Sequence, residues 1–320
     1  MLNPPPTTGP LIIVFNLGSG SSGDEDGARA AIQQACDAAG RAFELINVGD
    51  PGELPALARE AVQRAQKAQG VVVAAGGDGT LNAVAQAVLG SGCAYGVLPQ
   101  GTFNYFSRTH GIPADTAQAM QVLLHASARP VQVGQVNGRV FLVNASLGLY
   151  PKLLEDREGW KQQLGRSRLV AFGAGLLTLL RGYRSLRLRI EVQGQVRHVR
   201  TPTLFVGNNA LQMEQLGFAL AKDIDGGALA AIMLRPVSRL AMLALLLRGA
   251  FGKLGDADQV ISIPCRRMNV HSARAFGARR VKVATDGEIV WLSMPLEFAV
   301  SPEPLWLIRP DTPAPERAAP

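Results

Sequence analysis

Cysteine is scarce in this 320-residue chain: Cys36, Cys93 and Cys265 are odd in number and far apart. That excludes a disulfide framework and fits a reducing compartment. The histidines, His110, His125, His198 and His271, are scattered, with no cysteine or acid at metal-ligand spacing, so no zinc site is expected. Aromatic residues make up only 6% of the chain, too few for an obvious base-stacking platform, and no nucleic-acid module accompanies them. No G-x-x-x-x-G-K-S/T stretch is present, which excludes a P-loop nucleotide site. Residues 1–10 are polar and proline-rich, with no basic segment leading into an apolar one, so no secretory signal is read and a cytoplasmic location is expected.

What is present describes a globular protein. At 47% hydrophobic and 18% charged residues the chain is neither disordered nor a membrane bundle, and its length allows two domains. A formal charge of +7 and a pI near 9.7 suit a nucleotide, a nucleic acid or an anionic membrane surface. Dispersed, solubilising arginine accounts for the same charge.

One stretch organises the rest. Val71-Val72-Val73-Ala74-Ala75 is an apolar run that breaks into Gly76-Gly77-Asp78-Gly79-Thr80-Leu81-Asn82, after which Leu81, Val84, Ala85 and Val88 recur at helical spacing. It reads as a buried parallel strand, a tight loop and a helix. The glycines leave backbone N–H groups uncovered beside a helix N-terminus, where phosphate is favoured. Asp78 facing a polyphosphate needs a divalent cation between them, so it reads as a Mg²⁺ and nucleotide contact. A plain turn with Asp78 as helix cap is the alternative.

The second stretch is Gly96-Val97-Leu98-Pro99-Gln100-Gly101-Thr102-Phe103-Asn104-Tyr105-Phe106-Ser107-Arg108, closed by Gly111-Ile112-Pro113. In this order and spacing the two stretches resemble the catalytic domain of the diacylglycerol kinase superfamily, which includes bacterial lipid kinases, sphingosine kinases and ceramide kinases. The resemblance runs from about residue 11 to about residue 310. It implies transfer of the ATP γ-phosphoryl group to a lipid hydroxyl, with ATP and Mg²⁺ required. It also implies nucleotide contacts from Asn16, Gly76, Gly77, Asp78, Gly79, Thr80, Leu81, Asn82, Thr102 and Asn104. Three positions depart from the family's pattern. Leu17 replaces a proline, a lysine frequent in the first loop is missing, and Tyr105 stands where many members carry aspartate.

The first loop also holds a competing signal. Gly18, Gly20 and Gly23 spell G-x-G-x-x-G after the strand at 11–15, with Glu44 placed as a ribose acid, as in dinucleotide oxidoreductases. That reading leaves both later stretches unexplained. Strands and helices alternate up to residue 130 with short connections, so a parallel sheet covered on both faces is expected, with the site at its carboxyl end.

Beyond Pro130 short alternating runs appear at 131–136, 139–147, 186–192 and 196–206, which are antiparallel strand signals. The expected fold is an α/β domain of the NAD kinase/diacylglycerol kinase type over 1–133, completed by 296–310. A β-sandwich that takes the lipid substrate follows over 134–295, and a disordered tail over 311–320. Residues 164–180 are helical in pattern. Residues 240–247 form an apolar segment with basic flanks, too short to span a bilayer and suited either to an anionic membrane surface or to the core. The weaker membrane candidate is 176–183.

Two further motifs come from the resemblance. Residues 221–229 resemble a loop that holds a structural Mg²⁺ in bacterial lipid kinases, with Asp225 as side-chain ligand and Lys222 and Gly227 giving carbonyl oxygens. An ordinary turn fits the same residues. Thr285-Asp286-Gly287-Glu288 is a hairpin turn by chemistry. Its Asp-Gly-Glu triplet matches one whose glutamate is the family's proposed general base, so Glu288 is the expected catalytic base and Asp78 the competing one. The expected partners are a lipid substrate, a membrane surface touched peripherally and a second copy of the chain, with no nucleic acid. A soluble NAD kinase and a non-catalytic lipid-binding protein on the same scaffold are the rival functions.

Overall fold

The computed structural model describes residues 3–16, 25–101, 103–149, 151, 185–238, 241–242, 245, 248, 255, 257–273 and 279–311. The chain forms two compact units, Met1–Val133 with Ser301–Pro320, and Gly134–Val300.

The first unit alternates strand and helix: β1 (Leu11–Asn16), α1 (Glu25–Ala39), β2 (Phe43–Asn47), α2 (Leu54–Ala68), β3 (Val71–Gly76), α3 (Asp78–Val88), β4 (Ala94–Pro99), α4 (Tyr105–Thr109), α5 (Thr116–His125) and β5 (Ala128–Val131). Its sheet runs β2-β1-β3-β4-β18-β5, where β18 is Leu305–Ile308. Every described pairing is parallel except that of β18 with β5. All residues of β1, β3 and β4 are buried, because α1 packs with α5 and α2 with α3 over the sheet. On α2 the buried residues Ala58, Ala61, Val62 and Ala65 recur at helical spacing, and Gln69 ends the helix in the left-handed region.

The chain leaves β1 toward β2 on one side and returns to the other side of β1 with β3. This reversal opens a crevice at the carboxyl ends of β1 and β3, where Asn16 and Gly76 are register partners.

The second unit has two antiparallel sheets. The first runs β10-β9-β14-β17-β6-β7 and joins Gln195–Thr201, Leu186–Val192, Arg267–Ser272, Leu296–Val300, Gly134–Val136 and Arg139–Phe141 in that order. The second runs β13-β12-β11-β8-β15-β16 and joins Val260–Cys265, Leu229–Leu234, Thr203–Gly207, Asn144–Gly148, Arg280–Thr285 and Glu288–Ser293. Phe141, Leu188, Ile190, Met268 and Phe298 from the first sheet share a core with Leu147, Val206, Met233 and Val283 from the second, which makes the unit a β-sandwich. Helices α6 (Ala210–Gln215) and α7 (Ala221–Asp225) and the connection between them cover Ala230 and Ile232 of the second sheet, with Met213 from α6, Phe218 from the connection and Ile224 from α7.

Three of the four expected strands are each split, at the places where the chain changes sheet, and the fourth, 186–192, is the single strand β9. The run 131–136 divides into the end of β5 and the start of β6, and 139–147 breaks at Leu142 and Val143. The run 196–206 breaks at Pro202, which cannot donate to a ladder. The return to the first unit, expected from residue 296, begins at Ser301, because β17 pairs with β14 and β6 inside the sandwich. In the segment 240–247, Met242 and Leu245 are buried with Leu149 and Ala257, so these residues belong to the core. Leu240, Leu243, Ala244, Leu246 and Leu247, like 164–180 and 176–183, lie outside the described residues. Among the described residues no helix is long and apolar enough to cross a membrane.

Just after α4, the His110 ring packs edge-on to Phe106 with centroids 4.8 Å apart. Burial, reinforced by the nearby Arg309, pushes its imidazole down to about 3. The folded protein therefore keeps His110 neutral where the unfolded chain, with an ordinary value of about 6.5, takes up a proton. Stability should fall as pH drops below about 6.5 and level off near 3, with up to about 2 kcal/mol lost by about pH 5. Urea unfolding of His110→Gln should show this dependence removed.

Candidate functional site

At the crevice of the first unit, Asn16 Nδ2 donates to Thr80 Oγ1 at 2.9 Å, and both side chains are buried. A Cβ on Gly76 would lie 2.8 Å from the Asn16 carbonyl oxygen and 2.8 Å from Thr80 Oγ1, so only glycine lets the start of α3 approach β1 this closely. Gly77 is the N-cap and supplies no side chain, and the Leu81 N–H bonds the Gly77 carbonyl at 3.1 Å. The N–H groups of the turn ahead of Leu81 stay outside the helix's own ladder, at its positive end. Tyr95 Oη donates to the Leu81 carbonyl at 2.8 Å and holds that turn down. Leu81 and Asn82 are buried, so Leu81 acts in this loop through its backbone and its packing.

The second stretch is bonded to the first, with the Gln100 N–H on the Gly76 carbonyl at 2.8 Å. Gly101 occupies the point where two oxygen donors approach. A Cβ there would lie 2.8 Å from Asn104 Oδ1 and 3.3 Å from Asp78 Oδ2. Asn104 is buried in the left-handed region at φ 48°, and its Oδ1 has no hydrogen-bond partner among the described residues. A carboxylate and an amide carbonyl at one glycine are the hard donors a Mg²⁺ ion takes, so the residues present fit that cation. Thr102, and the 17–24 loop with Gly18, Gly20 and Gly23, lie outside the described residues. Glu44, the acid of the oxidoreductase reading, is ion-paired with Arg64.

Tyr105 follows Asn104 directly. Burial raises its phenol, with Arg108 pulling the other way and Asp78 adding to the rise, so the hydroxyl keeps its proton beside that carboxylate. The exposed Phe103 stacks on the Tyr105 ring at 6.0 Å and 6°, and the Arg108 guanidinium lies 5.9 Å from the same ring. At the carboxyl end of β1, Arg29 covers the Phe15 ring at 4.4 Å and is engaged by Glu25 and Asn47.

In the second unit Asp286 and Gly287 have φ of 48° and 90°, the conformation of a two-residue hairpin turn. The Asp286 carboxylate accepts from the N–H groups of Leu142, Val143 and Asn144 at 2.6, 2.9 and 2.9 Å. It therefore satisfies the backbone where the chain passes from β7 to β8 and so changes sheet. Glu288 begins β16 with its side chain half exposed. Arg139 of β7 reaches Glu288 Oε2 at 3.2 Å and Thr285 Oγ1 at 3.3 Å. Burial raises the Glu288 carboxyl, Arg139 lowers it and Asp286 raises it further. Glu288 and Asp78 belong to different units. Sequence reasoning missed Arg139, which stands at the head of an ordinary strand, and missed the clamp made by Asp286. The aspartate-glycine pair was the available signal for the turn, but nothing marked the distant N–H groups it binds.

The segment carrying Lys222, Asp225 and Gly227 is short helix α7 and the turn after it rather than an open loop. The Lys222 carbonyl accepts the Gly226 N–H at 3.0 Å, Gly227 takes φ 88°, and burial raises the Asp225 carboxyl. Among the described residues no three acidic, histidine or cysteine side chains cluster as metal ligands.

Residues 10–136 match the model of the diacylglycerol kinase catalytic domain, and residues 161–309 that of the YegS C-terminal NAD kinase beta sandwich-like domain. A probable lipid kinase YegS-like protein of Pseudomonas aeruginosa is 35% identical over 164 residues, 50% of this chain and 52% of that protein. A diacylglycerol kinase of Bacillus subtilis is 36% identical over 130 residues, covering 39% of this chain and 42% of that one. The chain thus spans about half the length of these curated relatives. A putative diacylglycerol kinase from Bacillus anthracis superimposes with a TM-score of 0.72 at 20% identity, over 96% of this chain and 99% of that one, a likeness of fold.

Replacing Asp286 with asparagine keeps its shape but turns one acceptor into a donor facing an N–H group. Asp286→Asn should cost about 2–4 kcal/mol in chemical denaturation, more than a surface substitution, because buried backbone donors lose a charged acceptor.

Proposed function

We propose, for a chain that belongs to the superfamily of the diacylglycerol kinase catalytic domain, that it is an ATP-dependent lipid kinase acting on diacylglycerol or a related lipid alcohol. The observation that carries this reading is the cradle at the strand reversal. There Asn16 and Gly76 are register partners, the N-terminus of α3 opens beside them, and Asp78 and Asn104 bring oxygen atoms together at Gly101. Such a cradle suits a polyphosphate held by backbone N–H groups. In this reading Asn16, Gly76, Gly77, Gly79, Thr80, Leu81, Asn82, Thr102 and Asn104 form the nucleotide site, and Asp78 and Asn104 hold the Mg²⁺. When bound, that ion supplies neutralisation of the phosphate charge.

Glu288 takes the proton of the lipid hydroxyl. The new bond joins that oxygen to the γ-phosphorus, the bond from the γ-phosphorus to the β–γ bridging oxygen breaks, and ADP leaves with the electron pair. Arg139 holds the Glu288 carboxylate in place and favours its ionised form, the one a base needs. In the α7 turn, Asp225 with the carbonyls of Lys222 and Gly227 offers hard oxygen donors for a structural Mg²⁺. A cation there would offset the burial of the Asp225 carboxyl. The proposed place of work is the cytoplasmic face of a membrane.

Purified protein with labelled ATP, Mg²⁺ and a detergent-dispersed lipid extract should place label in a chloroform-soluble product. Glu288→Ala should lower the rate by about 100-fold to 10,000-fold, and Asp78→Ala should abolish it. Label in NADP from a parallel reaction with NAD would move the assignment to a soluble kinase, and lipid binding without any transfer would leave a binding protein. Arg139→Gln tests the base separately. Removing the cation raises the Glu288 carboxyl further, so the acid limb of the pH–rate profile should move to higher pH.

A further inference from the structure

The outward face of the β9–β10 hairpin carries more positive charge than the fold can use. Leu188, Ile190 and Val192 of β9 are buried in the sandwich core, so the alternate residues Arg187, Arg189 and Glu191 face outward. The antiparallel register sets Arg200 opposite Arg187, His198 opposite Arg189 and Val196 opposite Glu191. Arg189 is ion-paired with Glu191 at 2.5 Å. Arg187 and Arg200 are exposed, and their side chains have no ion-pair or hydrogen-bond partner among the described residues. Like charges directly opposite one another weaken a sheet, so this pair costs stability in the free protein. Among the described residues β10 is moreover an edge strand, at the end of its sheet.

We infer that this face is a docking surface for an anionic phospholipid bilayer. Charge complementarity is the first argument: two unpaired guanidiniums in one row, with Arg189 and His198 in the next, present a plane of donors to phosphate headgroups. The second is Val196, which is 53% exposed among these charges, an apolar side chain that an interface with a hydrocarbon edge accommodates and water does not. The hairpin Leu186–Val192 and Gln195–Thr201 contains no aromatic residue, so it lacks the stacking groups that bind single-stranded nucleic acid. The inference rests on the lipid-kinase reading only in choosing a bilayer as the source of the phosphates.

The test is sedimentation of the full chain, without ATP, with vesicles of phosphatidylcholine alone or mixed with phosphatidylglycerol, at low and high salt. The unmutated protein should bind only the mixed vesicles, and salt should weaken the binding. Arg187→Ala with Arg200→Ala should bind about tenfold to thirtyfold more weakly. Arg187→Lys with Arg200→Lys should retain the binding, because the charge is kept. Arg59→Ala with Lys67→Ala, an equal loss of charge on α2, should change it little. The alanine pair should melt no lower than the unmutated protein, since it relieves repulsion.

Equal binding to both vesicle types, no loss in the alanine pair, or an equal loss in the α2 pair would overturn the proposal. So would preference for a DNA oligonucleotide over the mixed vesicles. Because no phosphoryl transfer is measured, a failure here leaves the kinase reading untouched, and a failed kinase assay leaves this surface standing.

Discussion

Three consecutive backbone N–H groups, those of Leu142, Val143 and Asn144, converge on the carboxylate of Asp286, and much of the second unit follows from that contact. A chain that passes from one sheet of a sandwich to the other must leave both ladders for a residue or two, and its buried donors then need acceptors from elsewhere. Asp286 supplies them from the tip of a hairpin. In return the hairpin is fastened at its turn, with the Asp286 N–H itself bonded to the Asn144 carbonyl at 2.9 Å. Glu288 stands two residues along the same hairpin, and Arg139 comes from the strand just before the crossing. One carboxylate thus fixes the positions from which Glu288 and Arg139 are presented.

The first unit solves a comparable problem with glycine instead of charge. Gly76 lets α3 start almost against the carbonyl of Asn16, and Gly101 gives room for Asp78 and Asn104 to share one small volume. The same closeness bears on Tyr105. Burial first, with Asp78 adding to it, holds the tyrosine as a neutral phenol, so a residue that donates a hydrogen bond replaces the acid that the resemblance leads one to expect at this place. The surface there is less negative and more apolar, and Phe103 stacked on the Tyr105 ring extends that surface.

The sequence showed most plainly those features whose cause is local. The apolar runs of β1, β3 and β4 announced strands buried on both faces, and Gly76-Gly77-Asp78-Gly79 announced the turn between β3 and α3. The alternation in Leu186–Val192 gave its inner and outer faces correctly. What stayed hidden depends on distant partners. Nothing near Arg139 signals that it meets Glu288, 149 residues later. The split of 139–147 at Leu142 and Val143 has no proline to mark it, because the break is compensated by Asp286 from across the fold. Pro202 did mark its break, and Pro302 and Pro304 lie at the boundary that was placed too early, before β17 had finished pairing within the sandwich. Residues 221–225 read as a loop because their glycines follow the short helix instead of preceding it.

The place of β18 has a consequence for how the protein is made. This strand, among the last described residues, lies between β4 and β5, which are both synthesised far earlier. While the ribosome is extending the sandwich, the first unit has every other described strand of its sheet but lacks the one that joins β4 to β5, so two edges stay open. The nascent first unit therefore waits, exposed, until its own end emerges. Any stall or truncation ahead of Leu305 leaves the turn between β3 and α3 on a sheet whose β4 and β5 edges are unpaired.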